Sequence, residues 1–217
     1  MNSKTERRVG ISNVKTLTSL AMFAALAYAL MVVGRIPIVL FLKYDPKDFV
    51  LVICSFMFGI IPATIVTVIV SIIEMVTVSD TGFIGLMMNV VATLAFLIPA
   101  SYFFHKSKKV KNVVIGLIVS TFLMTVVMLL WNWVVTPFFL DKPRSEIVKL
   151  LVPAILPFNL IKGFLNSALV AIFYSRILKI KSNVLEQHVE PQEHALRNSL
   201  IAAAGLIVLA LILYVII

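Results

Sequence analysis

Long uncharged stretches separated by short charged ones set the pattern of this chain. Uncharged runs cover residues 16–34, 49–73, 81–104, 112–140 and 198–217, and a sixth run, 150–175, is broken only by Lys162. A helix rises about 1.5 Å per residue, so about 20 residues cross about 30 Å of hydrocarbon. Each run therefore predicts a membrane helix, and only 49–73 raises a choice. As one helix it is a tilted span. As two, 47–58 and 62–77, it breaks at Gly59-Ile60-Ile61-Pro62, where glycine and proline together interrupt a helix. Thr136-Pro137 is expected to end the helix over 112–140, because proline restricts the residue before it. The first run follows Lys4, Arg7, Arg8 and Lys15 and so imitates a signal peptide. Ala21 to Val33 has no convincing cleavage context, and an uncleaved first helix is expected.

The distribution of Lys and Arg arbitrates the break, since cytoplasmic loops carry the excess. With the break and a cytoplasmic amino end, twelve are inside (Lys4, Arg7, Arg8, Lys15, Lys106, Lys108, Lys109, Lys111, Arg176, Lys179, Lys181, Arg197). Six are outside (Arg35, Lys43, Lys47, Lys142, Arg144, Lys149). Without the break the score is seven against eleven, and inverting that arrangement expels the basic tail. The broken form is preferred, although each half is short for a full crossing. The expected organisation is a basic cytoplasmic tail (1–15), a six-helix membrane domain (16–180), a cytoplasmic polar linker (181–197) and a C-terminal transmembrane helix (198–217). In the last, Gly205 with Ala202, Ala203 and Ala204 would permit close helix contact. The fold class is all-α, a multi-pass membrane protein, with no internal repeat.

Composition agrees. Of 217 residues, 61% are apolar and 13% charged, with mean hydropathy +1.06, against about 45–50% and about 25% in soluble domains. That excludes a soluble enzyme, a disordered tail and a disulfide scaffold; Cys54 has no partner within the chain. The net charge of +9 follows membrane topology rather than nucleic-acid binding. The sequence has no Walker A string, no His/Cys metal cluster and no Ser-His-Asp set, and His105, His188 and His194 fall in loops without ligand spacing. Neither catalysis, a cofactor nor independent ATP hydrolysis is expected.

The informative residues are those that are costly to keep in lipid. Lys162 lies mid-run, where a lysine costs about 2.5–3.5 kcal/mol on insertion scales. Asn159, Lys162 and Asn166 share one helical face, which suits either a ligand contact or a structural ion pair. Glu74 could balance Lys162, accept hydrogen bonds from hydroxyls, or sit at the interface. Asn89 and Asn132 are further intramembrane amides. Trp131 and Trp133 fit either an interfacial belt or an aromatic wall. Ala21, Ala25 and Ala29 recur every fourth residue and would let another helix approach, inside the bundle or from a partner.

Several strings converge on one family: Leu42-Lys43-Tyr44-Asp45-Pro46-Lys47-Asp48, Phe56-Met57-Phe58-Gly59-Ile60-Ile61-Pro62, and Thr81-Gly82-Phe83-Ile84-Gly85-Leu86-Met87-Met88-Asn89. Asn132-Trp133-Val134-Val135-Thr136-Pro137 and Leu156-Pro157-Phe158-Asn159-Leu160-Ile161-Lys162-Gly163 complete the set. Over about residues 15–180 the chain resembles the riboflavin-binding S-components of energy-coupling factor (ECF) vitamin transporters. Trp133 stands where the family string has Tyr, and 198–217 lies beyond the six-helix core. The resemblance implies a six-helix S-component bundle that captures riboflavin and delivers it inward with a transmembrane coupling protein and two ATPase subunits. ATP would act only through those partners. Ligand contacts are expected among Tyr44, Glu74, Thr81, Gly82, Asn89, Asn132, Asn159 and Lys162, and the partner interface at Ala21, Ala25 and Ala29. Segment 36–48 is expected to close over the ligand, with Tyr44 contributing a ring contact. An S-component for another vitamin, an autonomous secondary transporter and an intramembrane enzyme are the alternatives. The second calls for repeated halves and a deep coupling carboxylate, and the third needs more deep acid–base groups than the sequence offers.

Overall fold

The computed structural model describes residues 14–39, 42–184 and 194–216. The expected basic tail over 1–13 and most of the linker, including His188, lie outside them. Helix α1 (Val14–Gly34) leads into an antiparallel hairpin, β1 (Ile36–Val39) and β2 (Leu42–Tyr44), which pairs Ile36 with Tyr44. Then follow α2 (Lys47–Phe58), α3 (Ile60–Thr77), α4 (Gly82–Lys106), α5 (Val110–Leu140), the short α6 (Arg144–Leu150), a π-helical turn (Leu151–Ile155), α7 (Leu156–Val184) and α8 (Ala195–Ile216).

Six helices among the described residues are long and apolar enough to cross a membrane: α1, α3, α4, α5, the continuous α6–α7 segment and α8. The break at Gly59 is present. Gly59 adopts φ 95°, a left-handed conformation that a side chain would strain. Pro62 falls in the first turn of α3, where its missing N–H breaks no helical bond. Helix α2 has only 12 residues, about 18 Å of rise, and nearly all of it is buried. It is an interior half-helix ringed by α1, α3, α4 and α7.

Two boundaries differ from the sequence expectation. Helix α5 continues past Thr136-Pro137 to Leu140 and ends at Asp141 in the left-handed region (φ 49°). Proline constrains only the residue before it and one backbone bond, and Thr136 stays helical while its hydroxyl bonds Asn132 Oδ1. His105 belongs to the last turn of α4 rather than to a loop.

The main core joins α1 to α5 with α7, and Phe56 stacks on Phe104 with centroids 4.1 Å apart. Helix α8 packs outside it, laying Ala203, Leu206 and Ala210 against Phe164, Ala168 and Ala171 of α7. Gly205 instead faces outward, where an added Cβ would meet nothing within 4 Å, so the small-residue contact runs through Ala203 and Ala210. Between α5 and α7, Gly163 lies so close to Thr121 that an added Cβ would come within 2.5 Å of its methyl.

Candidate functional site

A cavity of about 330 Å³ opens between the hairpin and the ends of α3, α4, α5 and α7. That is the lower end of the roughly 300–1,000 Å³ usual for small-molecule sites. Leu42, Ile84, Met88, Ala92, Met128, Trp131 and Phe158 supply apolar wall. Asn89, Asn132, Thr136, Asn159 and Lys162 form a polar face on α4, α5 and α7. Arg35, Lys43, Asp45, Glu74, Asp80 and Thr81 form a charged face on the hairpin and the α3–α4 connection. Of the residues expected from sequence, Glu74, Thr81, Asn89, Asn132, Asn159 and Lys162 meet here. Tyr44 and Gly82 do not line the cavity; Tyr44 is buried beside it, and Gly82 takes φ 55° at the start of α4.

Four of the lining residues, Arg35, Lys162, Asp45 and Glu74, join the enclosed Lys47 and Asp48 in one network of six buried or half-buried charges. Their formal charges cancel, as burial of ions demands. Lys162 Nζ pairs with Asp48 Oδ2 at 3.0 Å, and Thr93 donates to Asp48 Oδ1 at 2.7 Å. Glu74 is not the partner of Lys162. It is held on one oxygen by Arg35 and on the other by Lys47, and Arg35 also reaches Val78 O at 3.4 Å. Lys162 therefore neither snorkels nor waits unpaired: one ammonium serves the ion pair and the cavity wall.

Local sequence explains how α2 can start inside the bundle. Its cap position is Pro46, which offers no side-chain bond to the first turn. Asn166 supplies it from α7, its Oδ1 accepting from Phe49 N at 3.2 Å while its Nδ2 donates to Lys162 O at 3.0 Å. Asn166 is thus the structural member of the Asn159-Lys162-Asn166 face. Asn132 is engaged on its own helix through Met128 O and Thr136, and Asn159 Nδ2 bonds Ile155 O at 2.8 Å. The tryptophans divide the two roles open to them. Trp131 lines the cavity, whereas Trp133 points outward under Arg144, whose guanidinium lies 5.1 Å from the ring centre.

At the mouth, Lys43 on β2 bonds Asp80 in the α3–α4 turn at 2.8 Å, tying the hairpin across the opening. That hydrogen bond and charge hold the Asp80 carboxyl below its ordinary range. Burial would raise the Asp45 carboxyl, but Lys47, Lys162 and Arg35 outweigh it and hold it low. Burial and the neighbouring Asp48 push the Tyr44 phenol upward, so it stays protonated.

The sequence assigns Arg35, Asp45, Lys47 and Asp48 no ligand contact: Arg35 and Asp45 read as outer connection, and Lys47 and Asp48 as the first residues of the half-helix 47–58. The signal was present: a deep lysine needs a carboxylate, and Asp48 directly precedes an uncharged run.

Comparison with known proteins agrees with this architecture. The chain is 28% identical to the riboflavin transporter RibU of Streptococcus thermophilus, over 80% of this chain and 88% of that protein. It is 25% identical to the riboflavin transporter FmnP of Bacillus subtilis, over 76% and 92%, and 26% identical to RibU of Staphylococcus aureus, over 79% and 94%. A solved structure described as "Structure and mechanism of the S component of a bacterial ECF transporter" superposes with TM-score 0.65 at 28% identity, covering 80% of this chain and 98% of that one. The profile of the family described as "ECF transporter, substrate-specific component" matches residues 15–174. The chain, a multi-pass membrane protein and not an enzyme, belongs to the substrate-specific components of ECF transporters.

Proposed function

We propose that this chain captures riboflavin from outside the cell and passes it inward with an ECF coupling protein and two ATPase subunits. The observation that carries the reading is the cavity itself: apolar walls between an amide-and-lysine face and a face of charged side chains. Riboflavin has the matching parts, a flat apolar tricycle, a hydrogen-bonding pyrimidine edge and a chain of hydroxyls. The named relatives that span most of the chain are riboflavin transporters. In this reading Glu74, Thr81, Asn89, Asn132, Asn159 and Lys162 contact the ligand. A contact from Tyr44 or Gly82 requires the hairpin or the α3–α4 turn to shift.

Orientation follows from charge. Lys15, Lys106, Lys109, Lys111, Arg176 and Arg197 are exposed at the end remote from the cavity. Every acidic residue among those described lies on the cavity side. The positive-inside tendency supports an orientation with the remote end and the N-terminus in the cytoplasm and the cavity mouth outside. Ala21, Ala25 and Ala29 are exposed while Leu20, Ala27 and Met31 face the bundle. That leaves the alanine face available to the coupling protein. The direct test is the colour of the protein. Purified in mild detergent from flavin-replete cells, it should carry flavin absorbance that is released on denaturation; a colourless protein that binds a different vitamin refutes the assignment.

A further inference from the structure

Hydrogen-bond accounting around the cavity leaves two buried atoms over. Asp45 Oδ1 and Arg35 Nε are shielded from solvent and have no hydrogen-bond partner, and both residues line the cavity. Asp45 is 3% exposed, and its other oxygen faces Lys47 Nζ at 4.0 Å. Arg35 spends its terminal nitrogens on Glu74 and Val78 O, which fixes the guanidinium plane and leaves Nε. Polar groups buried without partners are costly and uncommon in native folds. On a cavity wall they are the groups a ligand satisfies.

The chemistry of the pair narrows the ligand group. An ionised carboxylate only accepts hydrogen bonds and a guanidinium only donates them. Lys47, Lys162 and Arg35 keep Asp45 ionised despite its burial. A group that answers both must donate and accept, and a hydroxyl does so through a single atom. An imide edge needs its donor and acceptor side by side in one plane. It finds such a pair on α7, where Asn159 commits its nitrogen to Ile155 O and leaves its oxygen, one helical turn from Lys162 Nζ.

We propose that Asp45 and Arg35 form the hydroxyl-recognising end of the cavity, Asp45 Oδ1 accepting from, and Arg35 Nε donating to, the polyol chain of the bound flavin. This rests on the riboflavin reading above and adds two residues that it does not use. Asp45 follows β2 directly and shares Lys47 with Glu74, which joins this end of the cavity to the hairpin.

The test compares riboflavin with lumiflavin, which carries the same ring with a methyl in place of the polyol. Affinities are measured by flavin fluorescence on the full, ligand-stripped chain and on Asp45→Asn and Asp45→Glu. The first removes the charge. The second keeps the charge balance but moves the acceptor, so a folding defect from lost charge does not confound both. Riboflavin binding should weaken about ten- to a hundredfold in each variant, with lumiflavin affinity within about twofold of the parent, which also shows an intact cavity. Equal losses for both flavins would assign Asp45 to the ring or to the fold and overturn the proposal, as would no loss for riboflavin. A parent chain that binds neither flavin would instead refute the riboflavin reading itself.

Discussion

Lys162 and Asp48 form a buried ion pair, Nζ to Oδ2 at 3.0 Å, between the second turn of α7 and the first turn of the half-helix α2. The pair joins fold and site, because Lys162 also lines the cavity while Asp48 is completely enclosed. Replacing Lys162 with Met strands the Asp48 charge, and breaking one partner of a buried pair costs about 3–5 kcal/mol. Lys162→Met should therefore melt several degrees below the parent. The double variant Asp48→Asn/Lys162→Met should recover most of that loss. Flavin affinity should stay about tenfold or more below the parent in both, since the ligand loses a charged donor. Recovery of affinity along with the melting temperature would make Lys162 purely structural. Thermal melts and titrations on the same preparations separate the two.

The Lys43–Asp80 bond spans the cavity mouth with Lys43 half-exposed and Asp80 largely exposed, where ion pairs are weak and screened by salt. Lys43→Ala or Asp80→Ala should speed flavin release only about two- to fivefold, and raised salt should do the same to the parent. Because Asp80 is held below the ordinary carboxylate range, its contribution is complete at neutral pH and is lost only as pH falls through that lowered value. Release rates should then be flat from pH 8 to about pH 5, where an ordinary carboxylate is already ionised. A steep change within that window would place another group at the gate. Stopped-flow fluorescence reads these rates.

The spans, the break at Gly59 and the additional C-terminal helix are legible in the sequence, because lipid reduces them to counting uncharged residues and finding a Gly-Pro interruption. Depth is not legible. Arg35 and Asp45 read as solvent-side connection and Lys47 and Asp48 as the outer start of a helix, because nothing in a string tells that α2 begins inside the bundle, with Asn166 of a distant helix capping it. The partner of Lys162 is lost for the same reason: Glu74 is the acid within a helix, yet Arg35 and Lys47 take both of its oxygens. The halves of Trp131-Asn132-Trp133 differ only by their rotation on α5, which a hydropathy count cannot resolve.

Helix α1 gives a partner-specific prediction. Ala25 is exposed on a face that the bundle leaves uncovered, so Ala25→Trp should block co-purification with the coupling protein and leave riboflavin affinity unchanged. Loss of both together would return the alanines to bundle packing. Pull-down from membranes that also contain a coupling protein and ATPase subunits, with flavin titration of the isolated variant, decides between them.

Helix α8 covers Phe164, Ala168 and Ala171 but takes no part in the cavity or the main core. Deleting residues from Asn198 onward should lower the melting temperature and spare flavin binding. A topology reporter fused after Ile217 should register outside the cytoplasm, as a further span after a cytoplasmic linker requires. A cytoplasmic signal would remove that crossing.

In the proposed function this bundle alone holds one riboflavin, in the cavity between the hairpin and α7. Isothermal titration of ligand-stripped protein in detergent measures it most directly. Saturable heat at one riboflavin per chain is expected, abolished by prior loading with riboflavin, with affinity at least tenfold lower in Lys162→Met. Absence of heat with riboflavin, alongside stoichiometric heat with another vitamin, would contradict it.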